Sequence, residues 1–265
     1  MIKTRTYLAG LALAGMASAA YADLSVTPAV VSDYDFRGIT QTANDPALSV
    51  SVDYASGPLH VGLWTSNVHF DPNETGFKFF GAKHTEVDFI ADYSGGDDKT
   101  VKYNVGFVDY TYPGQSGLDF PEIWGTLSKG WASGTLHYSW DYGGLGSNSK
   151  AYYIEANGTW GIGETGFGIT AHLGHSWGDY WDNSATGGNG AYQDYAVGVT
   201  KSYGHFSGSL KYIDTSSYFS SCSKKPSSVA CTGLPAFPDD KVASGKGKVV
   251  LSISTTFPWA APGAK

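Results

Sequence analysis

Apolar and polar residues alternate along twelve separate stretches of this chain, and this two-residue period restricts the fold more than any other feature. Successive side chains of a β-strand point to opposite faces, so the alternation predicts strands with one apolar and one polar face. In one stretch Leu136, Tyr138 and Trp140 alternate with His137 and Ser139. The predicted strands lie at residues 24–37, 47–54, 59–67, 85–93, 101–110, 122–128, 132–142, 152–160, 167–173, 194–200, 206–212 and 248–257.

The composition agrees with an all-β chain and excludes several other classes. Aromatic residues make up 15% of the 265 residues, which disordered chains do not reach. The 35 glycines and the many aromatic residues disfavour helix interiors. The glycines follow no strict period, which excludes collagen. We therefore expect one large all-β domain.

The first 22 residues have the three parts of a secretory signal peptide. Lys3 and Arg5 form a basic start, an apolar run covers residues 7–17, and small residues end at Ala22. The apolar run is well short of the ~20 residues that a membrane-spanning helix needs. We expect cleavage after Ala22, which changes the formal net charge from −7 to about −9. An acidic chain of this kind has no electrostatic footprint for nucleic acid.

The links between the predicted strands alternate between short and long. Short glycine-bearing links follow every second strand, as at residues 55–58 and 129–131, whereas the longest polar links cover residues 68–84, 177–191 and 215–245. Bacterial outer-membrane barrels have an even number of strands, short periplasmic turns and longer outer loops. An open sheet edge is not tolerated in hydrocarbon, so the last strand must pair with the first. The sequence thus predicts a transmembrane antiparallel up-and-down barrel over residues 23–265, with outer-membrane lipid around it.

Aromatic residues lie at both ends of the predicted apolar faces. Amphipathic rings concentrate at the two interfaces of a membrane, so we expect two girdles. The girdle at the long-loop end comprises Tyr34, Phe36, Trp140, Tyr142, Tyr152 and Tyr212. The girdle at the short-turn end comprises Tyr54, Tyr93, Trp160, Phe167, Phe206 and Phe257. The alternative is a secreted β-sandwich with an aromatic core.

The two cysteines, Cys222 and Cys231, lie in the longest polar link. An even, close pair in an exported protein predicts a disulfide. A redox or metal pair would be expected to have a C-x-x-C spacing, which is absent here.

Several short motifs are shared with a known family. They are S-D-Y-D-F-R-G-I-T-Q-T at residues 32–42, D-P-A at 45–47, W-T-S-N-V at 64–68 and D-Y-T-Y-P-G at 109–114. On these motifs the chain resembles the TorF family of outer-membrane porins, and the resemblance implies a porin-like role in the outer membrane. Two features depart from that family. Asp92 stands where a glycine is expected, and residues 258–265 extend beyond Phe257, where family members tend to end.

Ionisable residues gather on the predicted inward faces, and acidic ones outnumber basic ones nine to four. Acidic rings in a pore favour cations. The alternative is a network of paired charges that fills the barrel. The candidate pore-lining residues are Asp33, Asp35, Arg37, Asp53, Glu86, Asp88, Asp92, Lys102, Glu122, His137, Glu155, Asp194, Lys211 and Lys248.

Three functions remain open at this point. The first is passive diffusion of small polar solutes or ions, with a preference for cations. The second is adhesion or binding through the long loops. The third, an enzyme, is the least favoured, because the seven histidines are scattered along the chain and only adjacent nucleophile and base groups would support catalysis. His172 and His175 are three residues apart on a strand and point to opposite faces, so they cannot share a metal ion. We expect no cofactor.

Overall fold

A computed structural model describes residues 23–69, 85–144, 148–182, 190–216 and 245–259. The predicted signal peptide, the Cys222–Cys231 pair and the last six residues lie outside the described residues.

Twelve antiparallel strands form a closed barrel, as the alternation predicts. The first strand pairs with the last, so the barrel has no open edge. Its strands are β1 (Asp23–Val31), β4 (Ala47–Ser56), β5 (Leu59–Asn67), β6 (Thr85–Gly95), β7 (Lys102–Thr111), β8 (Phe120–Lys129), β9 (Ala132–Ser139), β10 (Ala151–Gly161), β11 (Phe167–Trp177), β12 (Tyr192–Tyr203), β13 (Phe206–Thr215) and β14 (Lys248–Thr255). Two-residue strands β2 (Asp35–Phe36) and β3 (Ile39–Thr40) form a separate hairpin, and a single helical turn, α1, covers Asp179–Asp182.

The alternation sorts the side chains between two environments. On β12, for example, Tyr195, Val197 and Val199 are exposed on the outer face, whereas Tyr192 and Asp194 are buried inside. A soluble protein would bury the apolar face, whereas lipid tails can solvate it. In the described part of the chain, no helix has the length and apolar character needed to cross a membrane.

Proline interrupts the seam where β1 meets β14. Three residue pairs join these strands, from Ala29 with Ser254 to Val31 with Ser252, whereas nine pairs join β1 to β4. On the other side of Pro28, an isolated bridge joins Val26 to Phe257. Pro28 lies between the bridge and the ladder, and its ring nitrogen has no hydrogen to donate.

The first strand is shorter than the alternation predicts. It ends at Val31 rather than continuing to Arg37, and the chain then turns into the barrel. Residues 33–42, the lumenal hairpin, contain β2 and β3. The turn between them has Arg37 at φ 54° and Gly38 at φ 82°, both in the left-handed region that two-residue hairpin turns require. Ser32 ends the strand by bonding through both its amide and its hydroxyl to the backbone of Leu251.

The aromatic girdle at the short-turn end is exposed as predicted, but the other girdle is smaller. Trp140 and Tyr212 are exposed at the long-loop end. Tyr34 and Tyr142 are buried and Phe36 packs beside them inside the barrel, so their predicted place at the interface is wrong. The reason is that Tyr34 and Phe36 belong to the lumenal hairpin and Tyr142 follows the end of β9.

Candidate functional site in the barrel lumen

The lumenal hairpin crosses the barrel and bonds to the far wall. The guanidinium of Arg37 donates from Nη2 to both carboxylate oxygens of Glu122 on β8, at 2.7 and 2.8 Å. Around the barrel, β8 lies five strands from β1 in one direction and seven in the other, so the contact spans the lumen. The hydroxyl of Tyr192 donates to the backbone oxygen of Arg37 at 3.0 Å. A Cβ on Gly38 would lie 2.3 Å from Thr215, so the tip fits closely against the wall.

Charged groups also hold the base of the hairpin. The ammonium of Lys248 lies 3.0 Å from Asp33 and 2.8 Å from Asp35. The hydroxyls of Thr40 and Thr42 both donate to Asp33. Burial raises the pKa of Asp35 although Lys248 opposes the shift. Burial disfavours the charge of Arg37, but Glu122 more than offsets it and holds the pKa of Arg37 above its ordinary value.

A row of alternating carboxylates and imidazoles runs from the hairpin contact along five neighbouring strands. The carboxylate of Glu122 lies 2.8 Å from Nδ1 of His137, and Nε2 of His137 lies 3.5 Å from Glu155. Glu155 lies 3.6 Å from His172, whose second nitrogen is 2.6 Å from Asp194. Each member of this row is therefore within ion-pair reach of its neighbours, so the row forms a connected charge network on one wall.

A second polar cluster lies nearer the short-turn end. His60 bonds Asp92 at 2.6 Å and Asp53 at 3.1 Å through its two nitrogens. The amide of Asn104 donates to Asp92 at 2.7 Å, and the indole of Trp124 donates to Asn104 at 2.5 Å. Asp92, which stands where the resemblance leads us to expect a glycine, is thus bonded by a histidine and an amide.

Glu86 and Asp88 form a different kind of pair. Both lie on the inner face of β6, at 1% and 5% exposure. Glu86 accepts hydrogen bonds from the hydroxyls of Tyr34, at 3.2 Å, and Tyr112. Oε2 of Glu86 and Oδ1 of Asp88 are buried without a hydrogen-bond partner. Among the described residues, no basic side chain lies within ion-pair distance of either carboxylate.

Aromatic side chains fill much of the lumen at the long-loop end. Tyr110 stacks on Phe120 at 4.6 Å between ring centroids, and Phe120 packs on Tyr142 at 4.7 Å. The guanidinium of Arg37 lies 4.3 Å above the ring of Tyr153. Together with the lumenal hairpin, these rings narrow the lumen on the side of the long loops.

The predicted inward residues fall into these groups with two exceptions. Lys102 pairs with Asp98 beside a short turn, and Lys211 faces inward from β13. The prediction also placed His172 inward, but it did not name His60, Asn104 and Tyr153 as candidates, although each lies on the polar face of an alternating stretch. Alternation alone would therefore have placed them inward.

The described residues contain no cluster of three or more groups suited to hold a metal ion. The histidines inside the barrel bond carboxylates, an asparagine amide and a tyrosine.

The closed twelve-stranded barrel, apolar outside and charged inside, has the β-barrel fold of outer-membrane porins. Its fold is similar to the KdgM porin in complex with disordered oligogalacturonate, at 6% identity, TM-score 0.50, and coverage of 90% of this chain and 100% of that one. It is equally similar to the NanC porin, at 9% identity, TM-score 0.50, and coverage of 89% and 100%. LpxR from Salmonella typhimurium matches at 11% identity, TM-score 0.45, and coverage of 88% and 99%.

By sequence, the chain belongs to the bacterial family of unknown function Gcw_chp, whose family model matches residues 15–233. No curated protein matches the chain. The matching family carries no assigned activity, so the function must be argued from the lumen.

Proposed function

We propose that this chain is an outer-membrane porin for passive diffusion of small polar solutes and ions, of the kind that its resemblance to the TorF family implies. The observation that carries the proposal is the inner wall, where ionisable side chains line strands on every side of a barrel whose outer wall is apolar. Cleavage after Ala22, the Cys222–Cys231 disulfide and the pore-lining role of the fourteen candidate residues are parts of the same proposal.

The lumenal hairpin is the constriction of this pore. It crosses the lumen and bonds the far wall through Arg37 and Glu122, which leaves less room than the bare barrel would. A twelve-stranded barrel is intermediate between filled eight-stranded barrels and open sixteen-stranded ones. We therefore assign it a narrow pore for small solutes.

The charge of the lumen favours cations. Nine acidic residues of the candidate set face four basic ones, and acidic linings attract cations and repel anions. KdgM was solved with an oligogalacturonate, which is a polyanion. The acidic lumen makes a polyanionic solute unfavourable for this chain, so we do not extend the ligand of KdgM to it.

Planar-bilayer recording tests both the narrow pore and its preference for cations. The wild-type protein should form channels of small conductance whose reversal potential in a salt gradient has the sign of cation selectivity. Gly38→Ala should enlarge the conductance, because a Cβ there meets Thr215 and Asp194 and displaces the hairpin tip. Gly130→Ala is the matched control, since Gly130 also has positive φ but lies in open space. Folded protein without channels, or channels selective for anions, would refute the proposal.

A further inference from the structure

We propose that Glu86 and Asp88 form a binding site for a small organic cation carrying an alkylated ammonium group. This inference rests on the proposed function, because it names the solute class of the same lumen.

The carboxylates are buried without a basic partner among the described residues. A buried charge is costly unless it is paired, and the other inward acids illustrate the rule: Glu122 has Arg37, and Asp92 has His60. Glu86 and Asp88 have one oxygen each that accepts nothing. These atoms point from neighbouring inward positions of β6, two residues apart, so a single cation can contact both.

Aromatic rings border the pair. Trp64 and Tyr110 are the direct cross-strand neighbours of Asp88 on β5 and β7. Tyr34 bonds Glu86 through its hydroxyl, and its ring packs 5.3 Å from the ring of Trp64. The three aromatic side chains therefore lie around two carboxylates on one patch of the wall.

This combination suits an organic ammonium better than a metal ion. A divalent metal held by two carboxylates completes its shell with water or further oxygen ligands, whereas the neighbours here are aromatic faces, which attract alkylated ammonium groups by cation–π interactions. The carboxylates provide opposite charge and the rings contact the alkyl groups. The site is covered by Tyr34 of the lumenal hairpin, so a cation enters when this part of the hairpin moves aside.

Calorimetric titration of the full exported chain in detergent, with tetramethylammonium chloride as the probe, tests the site. Sodium chloride at equal ionic strength is the reference. We expect saturable binding of tetramethylammonium that sodium does not displace at equal concentration. Glu86→Gln and Asp88→Asn should each weaken binding at least about tenfold, because each removes one buried charge. Trp64→Leu should weaken it by about thirtyfold if the indole face contacts the cation.

Glu164→Gln is the charge-matched control, because Glu164 is exposed in a short turn far along the chain from β6. Circular dichroism verifies the fold of each variant, and Asp88→Asn and Trp64→Leu keep the test valid if Glu86→Gln does not fold. Absence of binding, equal binding of sodium, or equal weakening by Glu164→Gln would overturn the site. Absence of binding by protein that conducts in bilayers would leave the porin proposal intact, whereas binding without conductance would support the site and refute the porin.

Discussion

At the residue scale, Arg37 combines backbone strain with a bond across the lumen. Its φ of 54° is uncommon for a residue with a side chain, and such strain persists only where the surroundings enforce it. Its bidentate contact with Glu122 supplies that constraint. Arg37→Ala should lower the free energy of unfolding by about 3 kcal/mol, because the buried Glu122 loses its guanidinium partner and keeps only His137. Denaturant unfolding in detergent measures this loss. Arg37→Ala with Glu122→Gln should recover part of it, and simple additivity of the two changes would show that the pair is not coupled.

Gly106 and Gly125 test how closely Trp124 packs on the inner wall. A Cβ on Gly106 would lie 2.2 Å from the indole of Trp124, whereas a Cβ on Gly125 would meet nothing within 4 Å. Gly106→Ala should destabilise the barrel by about 1–3 kcal/mol, as overpacking does. It should also shift the tryptophan emission, since Trp124 must move away from Asn104. Gly125→Ala, one residue from Trp124 on the outer face, should change neither quantity; equal effects would contradict the packing of Trp124 on Gly106.

At the element scale, the two-residue period predicts every barrel strand but not the end of the first one. The alternation continues through residues 32–37, although Ser32 has already ended the strand by its bonds to Leu251. The turn at Arg37 and Gly38 also lacks the Asn-Gly or Asp-Gly pair that usually indicates such hairpins. Alternation likewise predicts which acids face inward, but not which ones meet. Those contacts depend on the stagger between strands, which brings Glu122 beside His137 and, within the part of the chain that the structure describes, gives Glu86 and Asp88 no basic partner.

The pairing of β1 with β14 is incomplete at Pro28, so replacing this proline should stabilise the barrel. Pro28 cannot donate a hydrogen bond and lies between the ladder and the isolated bridge of Val26 with Phe257. Pro28→Val should add one ladder bond and raise the free energy of unfolding by about 1 kcal/mol. Thermal unfolding in detergent measures the gain. Pro113→Val, in the turn after β7 and outside the paired residues of β7 and β8, makes the same chemical change and should bring no gain. Equal stability of the two variants would show that the missing hydrogen-bond donor at Pro28 does not weaken the seam.

At the scale of the whole molecule, the outer wall is an apolar belt whose middle should lie in hydrocarbon. Val197 is 60% exposed at the centre of β12, and Tyr203 is 81% exposed at the short-turn end of the same strand. Arginine on the lipid face costs about 2–4 kcal/mol at the midplane and about 0–1 kcal/mol near the interfaces. Val197→Arg should therefore destabilise the barrel in phospholipid vesicles far more than Tyr203→Arg, as measured by tryptophan fluorescence during denaturation. Water on both positions would make the two costs equal and small, so equal costs would show that this belt does not face lipid. A large difference between the two costs would place the membrane boundary between the middle of β12 and its short-turn end. The charged lumen would then lie at the same depth as the lipid tails.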